Sequence, residues 1–372
     1  MAKHTLTSTN LHPNTLIIGI QAPYNRTKHI QSYYDEFESL VETLGVPYEH
    51  SLFIKLRAIE NAYFVTTGKL EEIKNICEAN AIDKVIISEP LSPTQTRNLE
   101  DILGAEIIDR TRLILDIFHN AAITVEGKTQ VEIAQLHYAK SHLAGRGLFL
   151  DQQSGSIGVR GGMGETLKER EKQYIEEQIL KLKKHLKKMQ QTRETQRKRR
   201  LNTGIHQICL IGYTNSGKST ILNTLTKANV LAEDKLFATL DTTTRELFID
   251  GVKIGILSDT VGFIQQLPHH LIEAFKSTLS ELQYASLLLQ VIDLSDPNWE
   301  DHIKVVHAIL EDLGVEKEML YVFNKIDKVT AIETVLPRLE LYQPHITISA
   351  LSREGVKPLL DFLTTWKPNS TQ

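Results

Sequence analysis

The amino-acid sequence predicts an α/β protein in three parts, and three features of the chain lead to this prediction. Through about the first 128 residues, short β-branched runs alternate with amphipathic stretches, which is the pattern of a small α/β domain. Two helical patterns then flank a glycine-rich segment, which predicts a long helical hairpin. From residue 206, a strand-like run leads through a glycine-rich loop into a helix. A second α/β domain with a mixed, mostly parallel sheet flanked by helices is therefore expected.

The first part, residues 1–128, carries strand and helix signals in alternation. Strands are predicted at residues 16–20, 62–67, 84–88 and 106–109, and helices at residues 32–44, 69–80 and 112–122. Cys77 here and Cys209 further on lie in apolar segments without C-x-x-C spacing, so both are expected as core residues in a reducing compartment. The polar amino terminus and the lack of an apolar run near the ~20 residues of a membrane span favour a cytoplasmic protein, with a peripheral membrane fraction left open.

The second part, residues 129–204, is predicted to be an antiparallel helical hairpin. Helices are expected at residues 130–143 and 165–201, the second with apolar residues at three- and four-residue steps. Between them, residues 145–164 hold seven glycines, and we call this segment the glycine-rich tip. Its composition is typical of a loop. Because it lies between helices rather than between domains, we interpret it as a functional tip and not as a linker.

The end of the second helix concentrates positive charge. Residues 181–200 contain ten lysines or arginines and a single acid, Glu194, although the whole chain has a formal net charge of -4. A solvated helix face is one explanation, but like charges at i,i+4 destabilise a helix unless something neutralises them. We therefore favour an anionic partner, and an RNA backbone fits best.

The third part, residues 205–372, opens with a phosphate-binding motif. The strand-like residues 206–211 run into G-x-x-x-x-G-K-S and then into a helical pattern, which is the context that a P-loop requires. Its eight residues are Gly212, Tyr213, Thr214, Asn215, Ser216, Gly217, Lys218 and Ser219. The glycines let backbone N–H groups turn inward around phosphate oxygens. Lys218 is expected on the β- and γ-phosphates, and the Ser219 hydroxyl on Mg²⁺.

Three further motifs follow in the order of a guanine-nucleotide site. They occupy Asp259, Thr260, Val261 and Gly262, then Asn324, Lys325, Ile326 and Asp327, and finally Ser349, Ala350 and Leu351. Asp259 can support the metal, and Gly262 can offer its N–H group to the γ-phosphate. Asp327 can accept hydrogen bonds from guanine N1–H and the 2-amino group, whereas adenine lacks both donors, so GTP is the predicted nucleotide. The Ala350 N–H group is expected on guanine O6.

Together these motifs make the chain resemble the HflX family of ribosome-associated GTPases. The resemblance is carried by the P-loop, by Phe237, Ala238, Thr239, Leu240 and Asp241, and by the continuation of the Asp-x-x-Gly motif through Phe263, Ile264, Leu267, Pro268 and His269. Residues 155–166 match the family's glycine-rich segment before a long helix, so the likeness spans nearly the whole chain. Thr242 and Met163 stand where the family tends to have proline. The chain stops soon after Trp366, so a carboxy-terminal domain of many members is expected to be missing.

The resemblance implies a Mg²⁺-dependent GTPase that binds the large (50S) ribosomal subunit. Thr239 would be the switch threonine that closes onto Mg²⁺ in the GTP state, with Thr242, Thr243 or Thr244 as alternatives. Ser219 and Thr239 would then be the metal ligands. The resemblance also implies that the hairpin approaches ribosomal RNA and that the protein dissociates stalled or idle ribosomes under stress. A monomer is expected.

Phe263 stands where many regulatory GTPases place the glutamine that orients the attacking water. A phenylalanine cannot hold that water, so hydrolysis is expected to be slow alone and stimulated by the ribosome; a plain core aromatic is the alternative interpretation. Lys218, Thr239 and Gly262 are expected to act on the transferred phosphoryl group. Histidines such as His302 lack metal-ligand spacing and are expected as surface or capping residues.

Two other functions fit parts of the sequence. One is a cytoplasmic GTPase switch that recruits a protein effector, which leaves the basic residues 181–200 unexplained. The other is an RNA-remodelling ATPase or GTPase whose first domain binds ATP independently, although no glycine-rich phosphate loop is visible before residue 143. Steeply salt-dependent RNA binding would exclude the first function as the main one, and nucleotide titration of residues 1–200 would decide on the second.

Overall fold

A computed structural model gives the fold of the chain. It describes residues 14–25, 27–143, 163–201, 205–226, 236–237, 242–267, 271, 279–330 and 332–367, with the side chains of the long helix given at residues 169–189 and 191. The glycine-rich tip up to residue 162 and the predicted switch residues 238–241 therefore lie outside the described residues. Within the described ranges, no helix combines the length and apolar character that crossing a bilayer requires.

The first domain is built on a parallel sheet of four described strands. These are β1 (Thr15–Gln21), β2 (His50–Lys55), β3 (Lys84–Ile87) and β4 (Glu106–Ile108), in the spatial order β2-β1-β3-β4. β1 is buried over almost its whole length, as a strand inside a helix-covered parallel sheet must be. The helices are α1 (Ile30–Leu44), α2 (Thr67–Asn80), α3 (Pro93–Leu103) and α4 (Arg110–Ala121).

One strand predicted from the sequence, at residues 62–67, is not a strand, and the prediction was wrong. Phe64 has a φ of 65° and forms only an isolated bridge with Glu60. Phe64 and Val65 are nevertheless buried, so this apolar run belongs to a loop that packs into the core of the first domain. The edge position belongs to β2, whose apolar residues Leu52, Phe53 and Ile54 are consecutive and of which only Ile54 is buried.

Two long helices form the hairpin between the domains. α5 (Val125–Leu143) packs along α6 (Met163–Leu201), which confirms the predicted second helix. Their contact is apolar and consists of Ile133, Ile175, Ile179 and Leu186, with Leu136, Leu182 and Met189 partly buried beside them. An ion pair between Lys140 and Glu176 at 2.7 Å closes one side of the contact. The last two residues of the glycine-rich tip, Met163 and Gly164, belong to α6.

The second domain holds a mixed sheet of six described strands. These are β5 (Gln207–Gly212), β6 (Thr243–Ile249), β7 (Val252–Asp259), β8 (Leu287–Asp293), β9 (Met319–Asn324) and β10 (His345–Thr347), in the order β10-β9-β8-β5-β7-β6. Only β6 runs antiparallel to its neighbour among these strands. The helices are α7 (Lys218–Thr226), α8 (Trp299–Asp312), α9 (Ile332–Leu339) and α10 (Lys357–Thr365). The predicted fold is confirmed, and the motifs that follow the parallel strands share one edge of the sheet.

The two domains share a buried apolar cluster. Phe118 of α4 and Phe237 of the second domain meet edge-on, with ring centroids 4.5 Å apart. The neighbouring Leu236 N–H group donates to Thr43 Oγ1 at 3.2 Å. Phe263, which follows the Asp-x-x-Gly motif, belongs to the same cluster. The first domain therefore contacts segments that border the P-loop.

Candidate nucleotide site

The P-loop lies between the end of β5 and the first turn of α7. Gly212 has a φ of 148°, and a Cβ atom there would lie 2.2 Å from the Val291 carbonyl oxygen. Gly217 has a φ of 96°, and a Cβ atom there would lie 2.2 Å from the Asn324 side-chain nitrogen. Both positions therefore require glycine, for conformation and for space. This tight backbone path is what phosphate binding by such a loop depends on.

Lys218 begins α7, and its ammonium group lies over the loop. Nζ donates to the carbonyl oxygens of Gly212 at 3.2 Å and Tyr213 at 2.6 Å. Burial lowers the pKa of Lys218 to about 8; the charge of Asp259 opposes this shift and that of Lys325 adds to it. An anionic phosphate at this position would compensate the ammonium for its lost hydration.

The lowered pKa of Lys218 predicts that nucleotide binding weakens in mildly alkaline solution. Binding favours the charged ammonium, and in the free protein that charge is lost as the pH rises through about 8. We expect the Kd for GTP to be flat near neutral pH and to rise by up to about tenfold per pH unit above about pH 8. Titration with a fluorescent GTP analogue measures it.

Lys218→Arg is the matched control for this pH dependence, because a guanidinium group keeps its charge over the whole range. The Kd of this variant for GTP should not rise above about pH 8, even if the variant binds GTP more weakly overall. Any rise that remains in the variant measures the titration of the guanine base. A wild-type Kd that stays constant up to about pH 9 would contradict the lowered pKa of Lys218 and the pH dependence derived from it.

A hydroxyl and a carboxylate meet beside Lys218. Ser219 Oγ donates to Asp259 Oδ2 at 2.6 Å, which joins the end of the P-loop to the end of β7. Thr260 Oγ1 donates to the Leu210 carbonyl oxygen at 2.7 Å and fixes the Asp-x-x-Gly segment to β5. Two oxygen-bearing side chains that are 40 positions apart in the sequence therefore lie in contact.

The Asp-x-x-Gly segment pairs directly with the P-loop. The Thr214 N–H group donates to the Phe263 carbonyl oxygen at 2.7 Å, and the Phe263 N–H group donates to the Gly212 carbonyl oxygen at 3.1 Å. A Cβ atom on Gly262 would lie 2.9 Å from Thr214 Cα and 3.2 Å from Lys218 Nζ, so glycine is required here too. The Phe263 side chain is 1% exposed and packs into the core, which leaves it no route to an attacking water.

One amide side chain links the base-reading segments to the P-loop. Asn324 Nδ2 donates to the Ser216 carbonyl oxygen at 2.9 Å, and the Ala350 N–H group donates to Asn324 Oδ1 at 3.0 Å. The ends of β5, β9 and β10 are thereby held at fixed separations. Asn324 thus acts as a brace between loops in this structure.

Asp327 lies in the short turn Ile326–Lys328 that follows β9. Ser349 Oγ donates to Asp327 Oδ1 at 2.5 Å, and Lys325 forms an ion pair with Asp293 at 2.7 Å. These contacts orient the carboxylate and the lysine that border the predicted base position. Leu351, the last residue of the motif at residues 349–351, is 76% exposed.

A closed ring of hydrogen bonds joins the P-loop to the first domain, and the sequence analysis missed it. The Tyr213 hydroxyl donates to Glu36, and Arg110 Nη2 donates to the other carboxylate oxygen of Glu36 at 2.6 Å. Arg110 Nη2 also donates to the Gln265 carbonyl oxygen at 3.1 Å, and the Gln265 N–H group donates to Tyr213 Oη at 2.8 Å. Arg110 is fully buried. The first domain therefore holds the chain just beyond Gly262.

His302 corrects another expectation from the sequence. It was predicted to be a surface or capping residue, but it is 9% exposed and stacks on Tyr213, with ring centroids 3.7 Å apart and planes 7° apart. Contact between two flat rings buries apolar surface and fixes their orientation. α8 thus supports the P-loop from one side, while the ring of hydrogen bonds supports it from the other.

The structure brings four predicted motifs to one edge of the second sheet: the P-loop and residues 259–262, 324–327 and 349–351. Phe237 is described, with a φ of 58°, and its side chain packs on Phe118. The neighbouring residues 238–241 lie outside the described ranges, so the role of Thr239 stays a prediction.

Comparisons with known proteins agree with this geometry. Family profiles described as GTP-binding GTPase N-terminal, GTP-binding GTPase Middle Region and 50S ribosome-binding GTPase match residues 31–119, 121–200 and 207–325. A crystal structure described as the complex of SsGBP and GDP has the same fold with a TM-score of 0.51, at 27% identity, covering 94% of this chain and 97% of that one. The protein is a P-loop GTPase, which binds GTP and hydrolyses it to GDP and phosphate.

Two relatives define the family more narrowly. The chain is 44% identical to the GTPase HflX of Magnetococcus marinus over 335 residues, which is 90% of this chain and 77% of the relative. It is 41% identical to the GTPase HflX of Escherichia coli K12 over 331 residues, which is 88% of this chain and 78% of the relative. The chain belongs to the HflX family of GTPases, as its motifs predicted.

Proposed function

We propose that this GTPase binds the large ribosomal subunit through its helical hairpin and uses the GTP state to remodel or split ribosomes under stress. One observation carries the proposal: α6 turns its apolar residues toward α5 and its lysines outward. Leu186 is buried and Leu182 half-buried in the contact with α5. The exposed residues on the same stretch include Lys181, Lys183, Lys184 and Lys187.

This arrangement gives α6 a basic surface that its own packing does not use. Like charges so close together repel one another, and an anionic polymer relieves that repulsion while releasing its own counterions. The sequence extends the basic run to residue 200. The profile described as 50S ribosome-binding GTPase supports the large subunit as the source of the RNA. A monomer acting in the cytoplasm is part of the proposal.

Contacts between the domains supply a path from the nucleotide to the hairpin. Phe237, at the start of the predicted switch segment, packs on Phe118 of α4. α4 in turn packs against α5, whose Val131 and Ala134 belong to the same buried cluster. A change in the switch segment on GTP binding would thus reach the hairpin and its glycine-rich tip through packed side chains. A tip of small residues can enter an RNA cavity where larger side chains would clash.

Mg²⁺ fits the oxygen donors beside the P-loop. The Ser219 hydroxyl and the Asp259 carboxylate lie in contact, and hard oxygen donors of this kind are what Mg²⁺ prefers. Ser219 and Thr239 would hold the ion, with Asp259 in support, while Lys218 and the Gly262 N–H group would stabilise the γ-phosphate. A Mg²⁺ ion held there would neutralise part of the negative charge of the phosphates.

The two proposed metal ligands should have separable effects. Ser219→Ala should weaken Mg²⁺-supported GTP binding by about tenfold or more, because one ligand to the ion is lost. Thr239→Ala should spare GDP binding but lower subunit-stimulated turnover by about 100-fold or more, because this threonine engages only in the GTP state. Phosphate release in the presence of large subunits measures turnover. Thr242→Ala is the control, and a reversal of the two threonine results would identify Thr242 as the switch residue.

Co-sedimentation with purified large ribosomal subunits tests the proposed function. The protein should pellet with the subunits in GTP and in a non-hydrolysable analogue, and more weakly in GDP. GTP hydrolysis should be slow alone and faster with subunits, because Phe263 cannot orient the attacking water. A protein that stays in the supernatant in all three nucleotides would instead fit a switch that acts on a protein effector.

A further inference from the structure

We infer that the Thr214 hydroxyl is a catalytic group of the GTPase reaction, which orients the attacking water at the γ-phosphate. It would take the place of the glutamine that this chain lacks at Phe263. The inference concerns hydrolysis itself and rests on neither the hairpin nor the ribosome. It follows from where Thr214 lies, from which of its atoms have partners, and from what the neighbouring groups already do.

The position of Thr214 is fixed between the two segments that border the predicted γ-phosphate. Its N–H group is bonded to the Phe263 carbonyl oxygen, and its Cα and Cγ2 atoms both lie 2.9 Å from the position of a Cβ atom on Gly262. That same position on Gly262 is 3.2 Å from Lys218 Nζ. Thr214 is therefore a neighbour of the cation and of the backbone N–H group that are both assigned to the transferred phosphoryl group.

The methyl group of Thr214 is packed, whereas its hydroxyl oxygen lacks a hydrogen-bond partner within the described part of the chain. Its methyl group Cγ2 packs toward Gly262, and the residue is 6% exposed. Oγ1 is buried and has no hydrogen-bond partner among the residues that the structure describes. A buried hydroxyl without a partner costs about 1–3 kcal/mol, whereas valine would fill the same space without that cost. The presence of threonine and not valine at this position is accounted for if the hydroxyl gains a hydrogen-bond partner when GTP and water are bound.

The neighbouring groups are already engaged. Phe263 uses both its N–H and its carbonyl group to pair with the P-loop, and its ring is buried in the core. The Tyr213 hydroxyl donates to Glu36 and accepts from the Gln265 N–H group. The backbone of Phe263 and the hydroxyl of Tyr213 are thus committed to holding these segments together. The P-loop hydroxyls of Thr214 and Ser216 both lack a hydrogen-bond partner among the described residues, and Thr214 is the one that lies against Gly262.

A hydroxyl has the hydrogen-bonding capacity that this task requires. It can accept one hydrogen bond from the attacking water and donate one to a γ-phosphate oxygen at the same time. Thr214 would keep its own proton throughout. It would align the water in line with the bond to the leaving group, which matters because phosphoryl transfer depends mainly on positioning.

Two substitutions separate the hydroxyl from the shape of the side chain. Thr214→Val keeps the shape and removes the hydroxyl, whereas Thr214→Ser keeps the hydroxyl and removes the methyl group. Single-turnover hydrolysis of GTP by the isolated protein gives the rate, fluorescence titration gives the GTP and GDP affinities, and thermal unfolding gives Tm. We expect Thr214→Val to lower the rate by about 10- to 100-fold, with affinities within about threefold and Tm unchanged or raised.

Thr214→Ser should recover most of the wild-type rate. A wild-type rate in Thr214→Val would overturn the inference. So would a serine variant as slow as the valine variant, because the methyl contact with Gly262 would then be what matters. A valine variant that no longer binds GTP would also count against it, since the hydroxyl would then act in binding and not in hydrolysis. None of these outcomes depends on whether the protein binds ribosomes.

Discussion

Replacing Asp327 by asparagine should move the nucleotide preference from GTP to xanthosine triphosphate. We expect GTP affinity to fall by about 10³- to 10⁴-fold, since a site built for a hydrogen-bond donor rejects an analogue without it by such factors. The carboxylate can accept from guanine N1–H and the 2-amino group, whereas an asparagine amide would place a donor against the 2-amino group. Xanthine carries an oxygen at that position and can accept from the amide.

The geometry around Asp327 supports this large effect. Ser349 orients the carboxylate, and Asn324 braces the P-loop against the segment that contains Ala350. Isothermal titration with GTP and with xanthosine triphosphate measures the change, and Asp361→Asn makes the same chemical change at an exposed position on α10. GTP affinity that is equal in both variants contradicts the role of Asp327.

Neutralising the exposed face of α6 should weaken binding to the large subunit by about 10- to 1,000-fold near physiological salt. The variant replaces Lys183, Lys184 and Lys187 by glutamine, which has a similar helix propensity and leaves the contact with α5 intact. If each lysine contacts one phosphate, the slope of log affinity against log salt should also fall by up to about three. Co-sedimentation at several salt concentrations measures both quantities.

The control for α6 removes equal charge elsewhere. Lys317, Lys357 and Lys367 are exposed residues of the second domain, outside the hairpin sequence, and their replacement by glutamine should leave the affinity and the salt slope unchanged. Equal losses in the two triple variants would mean that net charge, and not the surface of α6, determines binding. No loss in either would leave the hairpin without a role in RNA binding.

The nucleotide site was predictable from the sequence because short motifs encode its backbone. Gly212 and Gly217 lie where a Cβ atom would collide with neighbouring segments, so only glycine fits at these two positions. The spacing of the glycines in the sequence therefore indicates the shape of the loop. The helix α3 was not predicted, although Ser92, Pro93 and Gln95 form a proline-started capping box that could have revealed it. β2 was missed because its apolar residues Leu52, Phe53 and Ile54 form a short run without the alternation of a half-buried strand.

Contacts between the domains could not be predicted in this way. Arg110 is the first residue of an ordinary amphipathic helix, and its partners Glu36 and Gln265 lie 74 and 155 positions away. Nothing in the local pattern distinguishes it from a solvated charge at the start of a helix. His302 was misassigned for the same reason, since its stacking on Tyr213 depends on how α8 packs against the P-loop. The roles of such residues can be recognised only in the folded protein, where their distant partners lie beside them.

Gradient sedimentation of intact ribosomes tests the central claim most directly. Ribosomes are incubated with the wild-type protein, or with a variant in which a short Gly-Ser turn replaces residues 155–162, in GTP, in a non-hydrolysable analogue or in GDP. We expect the wild-type protein to convert ribosomes to subunits in GTP and in the analogue but not in GDP. The variant should bind GTP within about twofold of wild type and yet fail to split ribosomes. Splitting by the variant at the wild-type rate, or splitting in GDP, would contradict the account.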